Sequence, residues 1–128
     1  MVKTLAVIGG VILLLLGILG FVSNPLIGAN ALFAADAAHN VIHILLGAIL
    51  LSVVFWAGES SELWLKIIGA VLFLIGLIGL LTVPSTGSTL LGIAYTNGAS
   101  DWFHLIAGIV VFVALLYTKD EQRPPTAA

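Results

Sequence analysis

Four long apolar runs leave this chain with few ways to fold. They extend from Leu5 to Val22, from about Ala37 to Ala57, from Leu63 to Val83 and from Trp102 to Tyr117. A helix needs roughly 20 residues to cross the hydrocarbon core of a bilayer. The first three runs are about that long, and Ser100 and Thr118 extend the fourth into the interfaces. The runs lack the alternation of a membrane barrel. A helix, by contrast, satisfies its own backbone in lipid. Composition closes the argument. Hydrophobic residues make up 61% of the 128 and charged residues 8%, against roughly 45–50% and 25% in soluble domains. So few charges cannot cover the surface of a soluble fold, and the lipid bilayer is the expected solvent. The predicted fold is all-α: an integral membrane four-helix bundle, one domain over residues 1–119, with spans at about 4–22, 37–57, 63–83 and 100–118. Residues 120–128 read as a disordered cytoplasmic tail. With no cysteine and a net charge of −2, thiol chemistry, disulfides, cysteine-ligated clusters and nucleic-acid partners are excluded.

The runs repeat as a pair. Gly10, Gly17, Gly20 and Pro25 recur 59 residues later as Gly69, Gly76, Gly79 and Pro84. His43 and Gly47 recur at an offset of 61 as His104 and Gly108, and Asn40 falls on the similar Asp101. Each unit holds two spans, so the expected arrangement is two parallel two-helix repeats about an axis along the membrane normal. Lys3, an apolar stretch and the small residues Ala29, Asn30 and Ala31 also fit a secretory signal. The run exceeds a signal core of roughly 7–15 residues, however, and corresponds to the third span. The basic residues are Lys3, Lys66, Lys119 and Arg123. All lie on one side of a four-span topology, which the positive-inside rule makes cytoplasmic, with both termini there. The outer loops, Ser23 to Asp36 and Pro84 to Ser100, have no basic residue. Leu26, Ile27, Leu32, Phe33, Leu90 and Leu91 make them apolar. They are expected to lie in the interface, with short helices as one form, rather than to project into water.

Glycines seven apart (Gly10 and Gly17, Gly69 and Gly76) keep to one helix face, where backbones approach closely. Gly47 and Gly108 suit the same role on the second and fourth spans. Polar residues collect where these two spans begin: Asp36, His39, Asn40 and His43, then Asn97, Ser100, Asp101 and His104. Asp36 and Asn97 suit helix N-caps. His39 and His43, four apart, share a face. Ionisable residues in membrane helices usually face the bundle interior, so His43 and His104 are expected to point inward, near each other or near one polar cluster. His39, one turn nearer water, is expected to have less need of a partner and to be able to remain solvated. In one reading the imidazoles hydrogen-bond Asn40, Asp101 or loop carbonyls and pin helices together. In another, His43 and His104, with His39, Asp101 and Asn40 nearby, hold a haem, metal or pigment. Symmetric histidines on two helices are what bis-histidine ligation in a bundle needs. Zinc has only His39, His43, His104 and Asp101 to draw on. Proton relay or solute passage is a third reading, weakened by spans whose only other polar residues of note are Ser52 and Thr82.

Two segments carry a resemblance. His39-Asn40-Val41-Ile42-His43 followed by Leu45-Leu46-Gly47, and Asn97 to His104 with Trp102-Phe103-His104 at its end, resemble the two signatures of a family of small bacterial four-span membrane proteins, domain of unknown function 4383. The likeness runs from Leu19 to Gly108. It implies a four-helix fold in a bacterial cytoplasmic membrane and carries no activity with it. In the family pattern an acid stands four residues before the second histidine. Here that position is Ser100 and the acid is Asp101, about 100° around the helix. The function expected from sequence is thus a membrane protein, structural or accessory, with other membrane subunits as possible partners. A cofactor-binding subunit is the alternative, and an enzyme or transporter for a lipid-soluble substrate would require a cavity between the spans.

Overall fold

A computed structural model describes residues 1–121 and Thr126. Four helices dominate it: α1 (Val2–Gly20), α2 (Ala37–Trp56), α3 (Ser61–Thr82) and α4 (Gly98–Glu121). Each is long and apolar enough to cross a membrane. α4 runs three residues past the span expected from the sequence. The remaining tail, Thr126 apart, lies outside the described residues.

The helices begin where their caps are. The Asp36 carboxylate accepts from the His39 backbone N–H at 2.9 Å and opens α2. The Asn97 side-chain oxygen accepts from Ser100 N–H at 3.0 Å and opens α4. Such caps satisfy N–H groups that have no partner within the helix. α1 ends in a turn held by Asn24, whose amide reaches the Leu19 and Ile27 carbonyls.

α1 packs along α2 and α3 along α4, forming two tight hairpins; across the seam between hairpins the contacts are sparse. Glycine sets the closeness within each hairpin. A methyl on Gly47 would stand 2.7 Å from the Gly10 carbonyl oxygen, and one on Gly108 would stand 2.7 Å from that of Gly69. Near the other end, a methyl on Gly17 would meet the Asn40 carbonyl oxygen at 2.7 Å, and one on Gly76 would meet that of Asp101 at 2.7 Å. No side chain larger than hydrogen fits such gaps, so the backbones gain dispersion contact instead.

The core lies low in the bundle, built by Ala6, Leu13, Leu50, Leu65, Ile68, Leu72 and Leu115. The outer faces are apolar too: Leu15, Leu74, Val110 and Leu116 are each more than half exposed. A surface of that kind needs hydrocarbon around it.

The short connection between hairpins is a single 3-10 turn (Gly58–Ser60). The Lys3 side chain rests on Gly58, while Glu62 binds Lys66 at 2.7 Å and Lys119 at 3.2 Å. Three of the basic residues therefore sit at one end. The opposite end is closed by the two long loops, which form strands rather than helices. β1 (Ile27–Gly28) pairs in parallel with β2 (Phe33–Ala34), and β3 (Ser88–Leu90) pairs antiparallel with β4 (Ala94–Thr96). Loop backbone next to lipid must find partners. Pairing with itself achieves this where Pro25, Pro84 and the glycines preclude a helix. Gly87, at φ +114°, lets the second loop turn beneath the Tyr95 hydroxyl.

Candidate functional site

Beneath these loops α2 and α4 bring three histidines together. Ring centroids are 4.7 Å apart for His39 and His43, 5.3 Å for His39 and His104, and 5.9 Å for His43 and His104. One ring nitrogen from each lies within 4.8 Å of the other two. His39 and His104 are buried; the His43 residue is partly exposed, but its Nδ1 is fully shielded.

Helical spacing explains the meeting. His39 and His43 are one turn apart on the face of α2 that looks across the seam. His104 stands nearly two turns into α4, at the depth His43 has in α2. The rings use their nitrogens differently. His39 Nδ1 donates to the Tyr95 carbonyl at 2.8 Å. It is therefore not the solvated residue its position suggested: β4 of the other hairpin covers it. His43 Nδ1 and His104 Nδ1 are buried without a hydrogen-bond partner. A buried polar atom in that state costs roughly 1–3 kcal/mol.

Asn40 and Asp101 stand apart from the imidazoles. Both are buried, yet each faces its own hairpin. A methyl on Gly20 would overlap the Asn40 amide, and one on Gly79 would overlap the Asp101 carboxylate. Asp101 accepts from the Thr96 hydroxyl at 2.8 Å, while its second oxygen and the Asn40 oxygen lack partners. Neither forms the hydrogen bond to an imidazole that the sequence made possible.

The sequence reading missed two connections. Asn97, expected only to cap α4, also accepts from Ala34 N–H at 3.2 Å and donates to the Leu32 carbonyl at 3.0 Å. Ser100 donates to the Ala34 carbonyl at 3.2 Å. Together they strap the first loop to α4. Phe33 against Phe103, centroids 5.3 Å apart, adds an apolar contact. No side-chain pattern announces a bond to a loop carbonyl, although a polar cluster at a membrane interface implies that some must form.

The histidines border three apolar cavities. One of about 120 Å³ lies under the first loop and one of about 220 Å³ under the second. A third, of about 270 Å³, runs down the seam between α1 and α4 from His43 and His104. Chemically, the cluster offers imidazole nitrogens beside apolar cavities. That donor set suits a borderline transition-metal ion. A porphyrin between His43 and His104 would have to clear the His39 ring, whose centroid stands 4.7 and 5.3 Å from theirs.

None of the curated proteins and none of the solved structures matches the chain. A family model does, over residues 3–117, and its span takes in all four helices, both loops and every histidine. The chain belongs to the family described as Domain of unknown function (DUF4383).

Proposed function

We propose that this protein binds a divalent transition-metal ion with His39, His43 and His104. The observation that carries the reading is the convergence of three imidazoles from two hairpins, two of them with an unpartnered buried Nδ1. Metal-bound imidazole nitrogens in a tetrahedral site stand about 3.3 Å apart, from bond lengths of roughly 2.0–2.1 Å. The rings have to close by about 1.5 Å at most from their 4.8 Å limit, within reach of side-chain rotation. His39 is prepared for this role. With Nδ1–H held by the Tyr95 carbonyl, its lone pair is on Nε2, the arrangement in which a second partner fixes a ligand's tautomer. Three protein ligands leave a fourth position open, as in zinc sites that act on a substrate rather than brace a fold.

The purely structural reading, in which the histidines clamp hairpins and loops, draws support from the same His39–Tyr95 bond. Titration with Co²⁺ in lipid nanodiscs separates the two. The metal reading expects tetrahedral cobalt bands in the visible at one equivalent per chain. His43→Ala and His104→Ala should abolish them, and acid should bleach them as protons displace the metal. A folded wild-type protein that gives no bands, and no more bound metal than the double variant, would leave only the clamp.

We also infer that the lysine-bearing end faces the cytoplasm of a bacterial inner membrane, from the positive-inside rule. Reporter fusions at Glu59 and in the 84–100 loop test this, and a cytoplasmic signal from the loop would refute it. Finally, we infer that the hairpins are duplicates. The like placement of Gly17 and Gly76, Gly20 and Gly79, and Asn40 and Asp101 supports it. Residues 1–58 and 61–119 should then superpose by a rotation near 180°.

A further inference from the structure

We propose that the cleft between α1 and α4 holds the hydrocarbon tail of an acyl-chain amphiphile, with its oxygen-bearing head at the histidine cluster. The head-group half rests on the metal reading above, since the open coordination position is what the head would fill. The tail half stands on the cleft alone.

The cleft begins at His43 and His104 and is otherwise lined by apolar groups, among them Leu13, Leu16, Leu72, Phe103 and Ala107. Its volume is about 270 Å³. Apolar cavities of roughly 150 Å³ already stay dry and admit a benzene-sized guest. Left empty, the cleft would forfeit dispersion contact along all its walls. Water has no partner there below the histidines. The only neighbour in excess is hydrocarbon, and the sparse contact between hairpins opens the seam sideways to it.

Length and polarity select the occupant further. From His104 to Ala114, the cleft covers ten residues of α4, about 15 Å at 1.5 Å per residue. That is half of a hydrocarbon core of roughly 30 Å, or one leaflet. The polar end lies at the loops and the apolar end near mid-bundle. A lipid of the leaflet on the histidine side has the same direction, head at the interface and tail toward the midplane. Entry therefore requires a sideways step and no inversion. Leu50 and Leu65 mark the back wall toward the far end; they are only 0% and 3% exposed, so bulk lipid reaches them only through the cleft.

Two readouts test this in nanodiscs. In metal-free protein, a fatty acid with a terminal diazirine should label Leu50 and Leu65 on illumination. Ala107→Phe and Ala114→Phe, which fill the cleft at two heights, should each cut that labelling at least fivefold while leaving Leu15 on the outer face labelled as before. Using two variants guards against one that fails to fold. Labelling of Leu15 without Leu50 or Leu65, or labelling indifferent to both variants, would overturn the proposal. In Co²⁺-loaded protein, dodecanohydroxamic acid should shift the cobalt bands, and Ala107→Phe should raise the concentration required at least tenfold. The same variant should leave the response to acetohydroxamic acid unchanged. Equal sensitivity of both probes would overturn the link between tail and head. Diazirine labelling without any Co²⁺ binding would overturn the metal reading and the head-group half with it. Co²⁺ binding without labelling of the back wall would overturn this proposal alone.

Discussion

The two hairpins solve one packing problem with different polar residues. In the first, the side chain seated over the helix-end glycine is the Asn40 amide; in the second it is the Asp101 carboxylate. The position five residues earlier differs in step, being Ala35 in one and Thr96 in the other. A buried acid needs a donor, and Thr96 supplies it at 2.8 Å; the amide, less costly to bury, has no hydroxyl beside it. The position before the amide or acid differs as well. His39 occupies it in the first hairpin and Ser100 in the second. Ser100 turns to the Ala34 carbonyl, so the cluster has three imidazoles rather than four, two from one hairpin and one from the other. His43 and His104 thus hold matching places in the two hairpins, and His39 is the member of the cluster that the second hairpin does not repeat.

The largest test of the agreement is at the deepest glycines. Gly76→Val should destabilise the bundle by about 3 kcal/mol, near the upper end for overpacking, because the valine would press on the α4 backbone at Asp101 and Leu105. Gly17→Val should cost about as much, since the Asn40 carbonyl oxygen and the Ile44 backbone nitrogen of α2 stand in the way at 2.7 and 2.9 Å. Thermal unfolding in detergent measures both, and a large loss at one glycine with little at the other would break the agreement. Next comes the acid. Thr96→Val should cost about 2 kcal/mol by leaving Asp101 without a donor. Adding Asp101→Asn, which gives the second hairpin the first one's residue, should recover most of that. Failure of the recovery would mean that Thr96 matters for β4 rather than for the carboxylate. Smaller again is the difference between the two caps. Asp36→Ala removes a cap worth about 1 kcal/mol. Asn97→Ala removes a cap and two bonds to the first loop, and should cost about 1 kcal/mol more. Smallest of all, Glu62→Gln should leave the unfolding midpoint unchanged within error, because its ion pairs with Lys66 and Lys119 are open to water.

Much of this was legible from residue order. Apolar length and scarce charge determine four membrane helices, and glycine spacing determines which faces touch. A polar residue just before an apolar run is a cap for a local reason, so Asp36 and Asn97 were readable. The convergence of His43 and His104 followed from their equal depth and from the cost of facing lipid. His39 was not readable, because its burial depends on β4, a strand from the other half whose backbone carbonyl is its partner. The loops were misjudged as possible short helices for a related reason. Strand pairing between segments such as Ile27 and Phe33 depends on chain reversal, which proline and glycine permit but do not specify. Asn40 and Asp101 looked like neighbours of the imidazoles along the chain. A rotation of about 100° per residue turns each of them toward its own hairpin instead.

The sparse seam between the hairpins bears on how the molecule is assembled. Each hairpin is a self-sufficient unit of two spans that can enter the bilayer as translation proceeds, and the first is complete before α4 exists. The histidine cluster is absent until the second hairpin docks, since His104 and the Tyr95 carbonyl both arrive with it. Whatever binds all three imidazoles binds the docked state and not its separated halves. By linkage, its free energy of binding adds to the association of the hairpins. A ligand held at the top of the bundle would therefore also be a quality mark, present on chains that have closed correctly and missing from those that have not.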